Sequence, residues 1–162
     1  MKKIQQFTLL ICFSFLALQA MAQDKPAQGK PVIDFKPTSS SSERRDQPVT
    51  KDDLLVLKRA DEILSDETKW NRKDDRTCRP EDKEWSIFCA LEKASIEVLG
   101  KYDHRRAALQ EVRFAIEDVT QGREFEHRLM DFNNLPTTQF KDIKKVLKVA
   151  TEKVAAKLKE IK

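Results

Sequence analysis

Apolar residues return at three- and four-residue steps in four separate stretches of the chain, and each stretch predicts a helix. Leu54, Leu57, Ala60, Ile63 and Leu64 mark the first, which Thr50 caps, which carries Asp52 and Asp53 in its first turn, and which extends to about Lys69 before Trp70 closes it. The second spans roughly residues 81–99. It carries Trp85, Ile87, Phe88, Cys89, Leu91, Ile96, Val98 and Leu99 around much of its circumference, as a central helix does. Pro80 suits its start, and Gly100 its C-terminal left-handed position. Asp103 is placed to cap a third helix to about Val119, with Ala107, Ala108, Val112, Ala115, Ile116 and Val119 inward and Gln121-Gly122 at its end. Residues 123–136 are ambiguous: a helical turn around Phe125 and Leu129 gives way to an extended segment through Met130, Asp131 and Phe132, and Pro136 forces a break after Leu135. From Thr137 or Thr138 a last helix shows Phe140, Ile143, Leu147, Ala150, Val154, Leu158 and Ile161 as one apolar seam. No stretch alternates as a hairpin would, so the expected fold is all-α, a compact bundle of about four helices.

The segment before the bundle has a different pattern. Lys2 and Lys3 precede an apolar run over residues 7–18, and Ala20-Met21-Ala22 is an A-x-A site, which together read as a signal peptide over residues 1–22, cut between Ala22 and Gln23. The run is well short of the roughly 20 residues that span a bilayer. Cys12 follows the bulky Ile11 inside that run, which argues against a lipid anchor. Residues 23–50 then read as a flexible linker, with Pro26, Gly29, Pro31, Pro37 and Pro48 around four consecutive serines at 39–42. Val32, Ile33 and Phe35 interrupt it as a patch that either stays in the tether or docks on the domain or a partner. The helical domain occupies residues 51–162, and the expected location is periplasmic or secreted, not transmembrane after processing.

Export changes the meaning of the cysteines. Loss of Cys12 with the signal leaves Cys78 and Cys89, an even pair in an oxidising compartment, for which a disulfide is the natural reading. Such a closed loop stabilises a fold by roughly 3 kcal/mol in the chain-entropy model. Two separate thiols, with Cys89 buried as a small apolar residue, are the alternative, which spacing alone does not decide.

Trp70 after the first helix, Cys89-Ala90-Leu91 in the second, and Asp131-Phe132-Asn133-Asn134 before Pro136 and Thr138 resemble a bacterial and phage family catalogued as a domain of unknown function, number six-one-nine-seven. Its members read Gly-Trp-Thr-Gln-Gly, then Cys-Ala-Leu-Gly-Ala-Leu, then Trp-Asn-Asp with a Thr opening the last helix. The resemblance covers about residues 54–158. It departs at Lys69, Phe132 and Asn134, and Glu92-Lys93 interrupt the small-residue pattern. The family implies no activity. Asn133 or Asn134 is expected to tie the loop to the last helix; a ligand site lined by these amides and Thr138 is the competing reading.

Catalytic and metal chemistry find little support. Cys89 with His104 or His127 and Asn133 lacks the local signatures of cysteine hydrolases. Cys78, Cys89, His104 and His127 lack the paired spacings of zinc sites, and the two histidines read as surface residues. The pairs Asp52-Asp53, Asp74-Asp75 and Glu81-Asp82 lie at helix starts or in polar stretches, where a raised pKa is not expected. No cofactor is expected. The formal net charge of +4 falls to +2 without Lys2 and Lys3, yet the last helix concentrates Lys141, Lys144, Lys145, Lys148, Lys153, Lys157, Lys159 and Lys162. Those lysines are either its wet face or a contact for anionic headgroups or an acidic envelope protein. Nucleic acid is disfavoured because no aromatic residues interleave with them. Two functions follow from the sequence: a non-catalytic interaction or accessory protein of the cell envelope, or a small hydrolase or ligand-binding protein with a site near Trp70, Cys89 and Asn133.

Overall fold

The computed structural model describes residues 48–161. The expected signal peptide, its Ala22–Gln23 cleavage site, most of the linker and the patch at Val32, Ile33 and Phe35 lie outside the described residues. Within them the chain is helical, with five α-helices where the apolar pattern predicts about four: α1 (Lys51–Ile63), α2 (Ile87–Leu99), α3 (Ala107–Val119), α4 (Arg128–Asn134) and α5 (Phe140–Glu160). No described helix is long and apolar enough to cross a membrane.

Helix α1 starts at a reciprocal cap, in which the Thr50 amide donates to the Asp53 carboxylate at 2.8 Å. It stops at Ile63, short of the expected Lys69, and a single 3-10 turn (Glu67–Lys69) follows. Asp66 explains the stop: its carboxylate accepts from the Thr68 amide at 3.0 Å, a local bond that competes with continued helix.

Helix α2 begins at Ile87, six residues later than the pattern suggests. The Trp85 amide donates to the Lys69 carbonyl at 2.7 Å and the Asn71 amide to the Trp85 carbonyl at 3.1 Å, an extended bridge that holds Trp85 out of the helix. Ser86 then supplies the cap, accepting from the Cys89 amide at 3.1 Å. Pro80 sits in a turn in which the Arg79 amide donates to Asp82 at 2.9 Å. Gly100 ends α2 in the left-handed conformation, φ +73°, with its amide on the Ile96 carbonyl.

Helix α3 shows a tertiary cap. The Asp103 carboxylate accepts from the nearby Arg105 amide, at 2.9 Å, and not from the first turn of α3. The Ala108 amide instead donates to Asp53 of α1 at 3.1 Å. Arg106 Nε lies 2.9 Å from the same carboxylate as an ion pair without hydrogen-bond alignment. Asp53 is 2% exposed, so this one acidic side chain joins two helix N-termini in the interior.

The segment through Met130, Asp131 and Phe132 is helical, not extended. Asp131 accepts from the His127 amide at 2.8 Å and closes the first turn of α4, and Leu129, Phe132 and Asn133 reach the core from one face. The chain breaks at Leu135 and Pro136 as expected. Helix α5 opens at Phe140 behind a Gln139–Asp142 capping box, two or three residues after the threonines expected to start it.

Helix α1 packs on α2 and α5, α3 on α5 and α1, and α4 closes the end against α2 and α3. Val56, Leu57, Leu91, Leu109, Val112, Ile116, Ile143, Val146 and Leu147 are fully buried between them. Of the expected α5 seam, Ile161 is an exception at 66% exposed.

Candidate functional site

Asn133 is completely buried on the inner face of α4. Its Oδ1 accepts from the Trp70 indole at 2.8 Å and from the Ile87 amide at 3.2 Å. Its Nδ2 donates to the Asn71 carbonyl at 3.0 Å and to Asn134 Oδ1 at 3.2 Å. Every bond a carboxamide can make is therefore made, inside a low-dielectric interior where each is costly to lose. Asn134 works outward from it: the Asp74 amide donates to Asn134 Oδ1 at 2.7 Å, and Asn134 Nδ2 donates to the Asp74 carbonyl at 2.8 Å. The amide pair thus clasps the loop at 70–74 to α4 and to the start of α2, rather than tying it to the last helix. That link falls to Arg72, which lies 5.1 Å from the Trp70 ring centroid and donates to the Pro136 and Thr138 carbonyls. Thr138 itself donates to the Phe132 carbonyl at 2.7 Å, closing the end of α4.

The same loop is closed covalently. Cys78 and Cys89 form a disulfide, with Cα atoms 5.3 Å apart. Asp74, between the clasp and the bridge, is 6% exposed; its Oδ1 accepts from the Arg76 amide at 2.7 Å, while Oδ2 is buried without an aligned donor. Burial pushes this carboxyl above the ordinary carboxylate range, against the Arg76 amide and the Ser86 hydroxyl. The expectation of ordinary acidities in the polar stretches therefore fails at this residue. Its neighbour Asp75 is shifted down, chiefly by the Thr77 amide.

Beside this closed hub lies an open cleft of about 750 Å³, at the junction of the Asp75–Arg76 turn, α2, the α2–α3 connection and the turn into α4. Its lining includes Phe88, Tyr102, His104, Arg113, His127 and Arg128. The rings of Phe88 and Tyr102 meet edge to face, with centroids 6.1 Å apart. Among the described residues no group of three His, Cys, Asp or Glu side chains is arranged to hold a metal ion.

The model of a family described as "Family of unknown function (DUF6197)" matches residues 48–153, which run from three residues before α1 to within the last two turns of α5. The chain belongs to this family. No curated protein and no solved structure matches it.

In this DUF6197 member the residues that carry the resemblance have distinct places. Trp70, Asn133 and Asn134 form the hub, and Cys89 flanks it on α2 through its bridge to Cys78. Ala90 and Leu91 are wholly buried core. Thr138 joins the group only through the backbone of α4. Asp74, Ser86 and Arg72 are equally part of the assembly, and sequence spacing gives no sign of them because their partners lie about sixty residues away or are backbone groups.

The lysines of α5 divide into two sets. Lys144 donates to the Asp61 and Leu64 carbonyls at 3.0 and 3.1 Å and pairs with the Asp61 carboxylate, capping the C-terminal end of α1. Lys153 pairs with Asp118, and Lys157 with the buried Glu111 of α3. Lys141, Lys145 and Lys148 are exposed, and with Lys58 they line a groove of about 670 Å³ between α1 and α5 that also holds Asp61, Glu62 and Glu152.

Proposed function

We propose that this DUF6197 protein is an exported, non-catalytic interaction or accessory module of the cell envelope, located in the periplasm or secreted. The observation that carries the reading is the Cys78–Cys89 bond, because a structural disulfide in a small domain persists where thiols are oxidised. The basic, apolar and A-x-A pattern over residues 1–22 supports the same compartment. While bonded, Cys89 has no thiolate to offer, which removes the cysteine nucleophile from the competing enzyme reading. Trp70 and Asn133 are buried and spent on each other, which argues against a substrate site at that point. The contact surface in this reading is the exposed row of Lys141, Lys145 and Lys148, facing an acidic envelope protein or anionic headgroups.

Fractionation of the producing cell with non-reducing mass spectrometry tests it. The expected product lies outside the cytoplasm, starts at Gln23 and weighs two hydrogens less than the dithiol. Intact chain in the cytosol with both thiols open to alkylation overturns the proposal.

A further inference from the structure

The groove between α1 and α5 is walled by lysines from both helices. Lys141, Lys145 and Lys148 stand four and three residues apart on α5, a line about 10 Å long at the helical rise, and Lys58 stands across the groove on α1. All four are exposed. The carboxylates of the same groove already have cations. Asp61 pairs with Lys144, Glu62 lies 2.9 Å from Arg59, and Glu152 lies 3.9 Å from Lys148, one turn away. The last pair is the loosest: its side chains are 75% and 65% exposed, and a lysine that precedes its glutamate is the less favourable order on a helix. Lys58, Lys141 and Lys145 have no ion pair among the described residues. The groove therefore keeps a surplus of positive charge, five lysines against three carboxylates.

We propose that an acidic segment of a partner polypeptide lies in this groove, with its carboxylates on Lys58, Lys141 and Lys145. The inference rests on the interaction role proposed above and names the chemistry of the partner. Charge complementarity selects an anion. The arrangement of signs selects a polypeptide over a bilayer. Three carboxylates share the groove with the lysines, so a continuous sheet of anionic headgroups meets both signs at once. A narrow chain instead sets each carboxylate against a lysine and can carry a cation opposite Glu62 or Glu152. The spacing agrees: successive α5 lysines are about 6 and 4.5 Å apart along the axis, and alternate side chains of an extended segment are about 7 Å apart, a difference that flexible lysine stems take up. Each exposed pair contributes little alone, so the complex forms fast, is of modest affinity and weakens with salt.

Fluorescence anisotropy of the full chain with a labelled decapeptide of alternating glutamate and alanine tests it, with phosphatidylglycerol vesicles as a separate arm. Saturable peptide binding is expected at low salt, with a dissociation constant below about 1 mM. Lys141→Glu with Lys145→Glu is expected to weaken it at least about tenfold, and Lys145→Gln alone about threefold, with the unfolding curve retained. Lys83→Glu with Lys101→Glu makes the same charge change at exposed positions outside the groove and is expected to weaken it less than about threefold. The proposal is overturned by the absence of saturation, by equal loss in the two double variants, or by vesicle binding that exceeds peptide binding and is abolished by the groove variant, which makes the headgroup the occupant. A chain that fractionates outside the cytoplasm but fails here loses the groove inference and keeps its compartment; a cytosolic chain that passes keeps the groove and loses the envelope role.

Discussion

The two ends of this bundle are held by different physics. At the α2–α4 end, a fourteen-residue connection without regular helix, residues 71–84, is fastened by one buried carboxamide, a pair of tryptophans in an extended bridge and a disulfide. Along the α1–α3–α5 seam, buried aliphatic side chains do the joining, and lysine–carboxylate pairs decorate the edges. Hydrogen bonds in the interior are directional and fail abruptly when one partner is lost; aliphatic packing and wet ion pairs yield gradually. The open cleft adjoins the directional end, where loops carrying aromatic and cationic side chains meet.

The sharpest way to break this contrast is Asn133→Ala. It leaves the Trp70 indole and the Ile87 amide buried without acceptors. A loss of about 4 kcal/mol in urea denaturation is expected, a large value for a single substitution. A loss below about 1 kcal/mol means that water replaces the amide and that the hub is not specifically required.

Reduction of the Cys78–Cys89 bond comes next. Its removal frees the unfolded chain and is expected to lower stability by about 3 kcal/mol, read as a shift in the urea midpoint between oxidised and reduced protein. Because the bridge anchors the connection that carries Asp75 and Arg76, the reduced chain is also expected to show broadened amide signals there before α5 is affected.

Asp74→Asn separates charge from geometry at the same end. The folded carboxyl binds its proton more tightly than the ordinary value of 3.8 found in an unfolded chain. Its contribution is therefore fully present below about pH 4 and is lost as pH rises through the folded value. The neutral amide removes that loss while keeping an acceptor for the Arg76 amide. The variant is expected to melt at or above the parent temperature at pH 7 and to lose this advantage at pH 3. A parent that is more stable than the variant at pH 7 shows instead that the ionised form is wanted.

The smallest effect is expected at the other end. Lys153→Met removes an ion pair to Asp118 whose partners are 35% and 43% exposed. Screening by water limits the change to under about 1 kcal/mol in thermal unfolding, and added salt should shrink it further.

Much of the fold was legible because its signals are local. The α5 seam, the stop at Gly100 and the break at Pro136 each follow from periodicity or backbone geometry within a few residues. The misplaced boundaries share a cause. Residues 81–85 have a helical apolar pattern, but Trp85 is claimed by a backbone bridge to Lys69 and Asn71; Asp103 is a good cap by type, but Asp53 reaches the α3 amide first. Similarly, α5 looked like a uniform basic stripe, although Lys144, Lys153 and Lys157 are internal stitches to α1 and α3. The site was less legible than the fold. The resemblance marked Trp70, Asn133 and Asn134 as a group, while Tyr102, His104 and His127, each unremarkable in its own stretch, meet only across the packed loops.

By itself, the order of residues determined that this chain makes amphipathic helices, where several of them end, that it falls in the DUF6197 family and which two cysteines are available in the domain. Those properties depend on neighbours within a turn or two, or on residue type alone. Tertiary structure decided that an asparagine pair became a clasp, that a helix is capped by a carboxylate fifty-five residues away, and that two histidines and a tyrosine share one cleft. Such choices belong to partners brought together by burial, since a buried donor takes the nearest aligned acceptor, whatever its position along the chain.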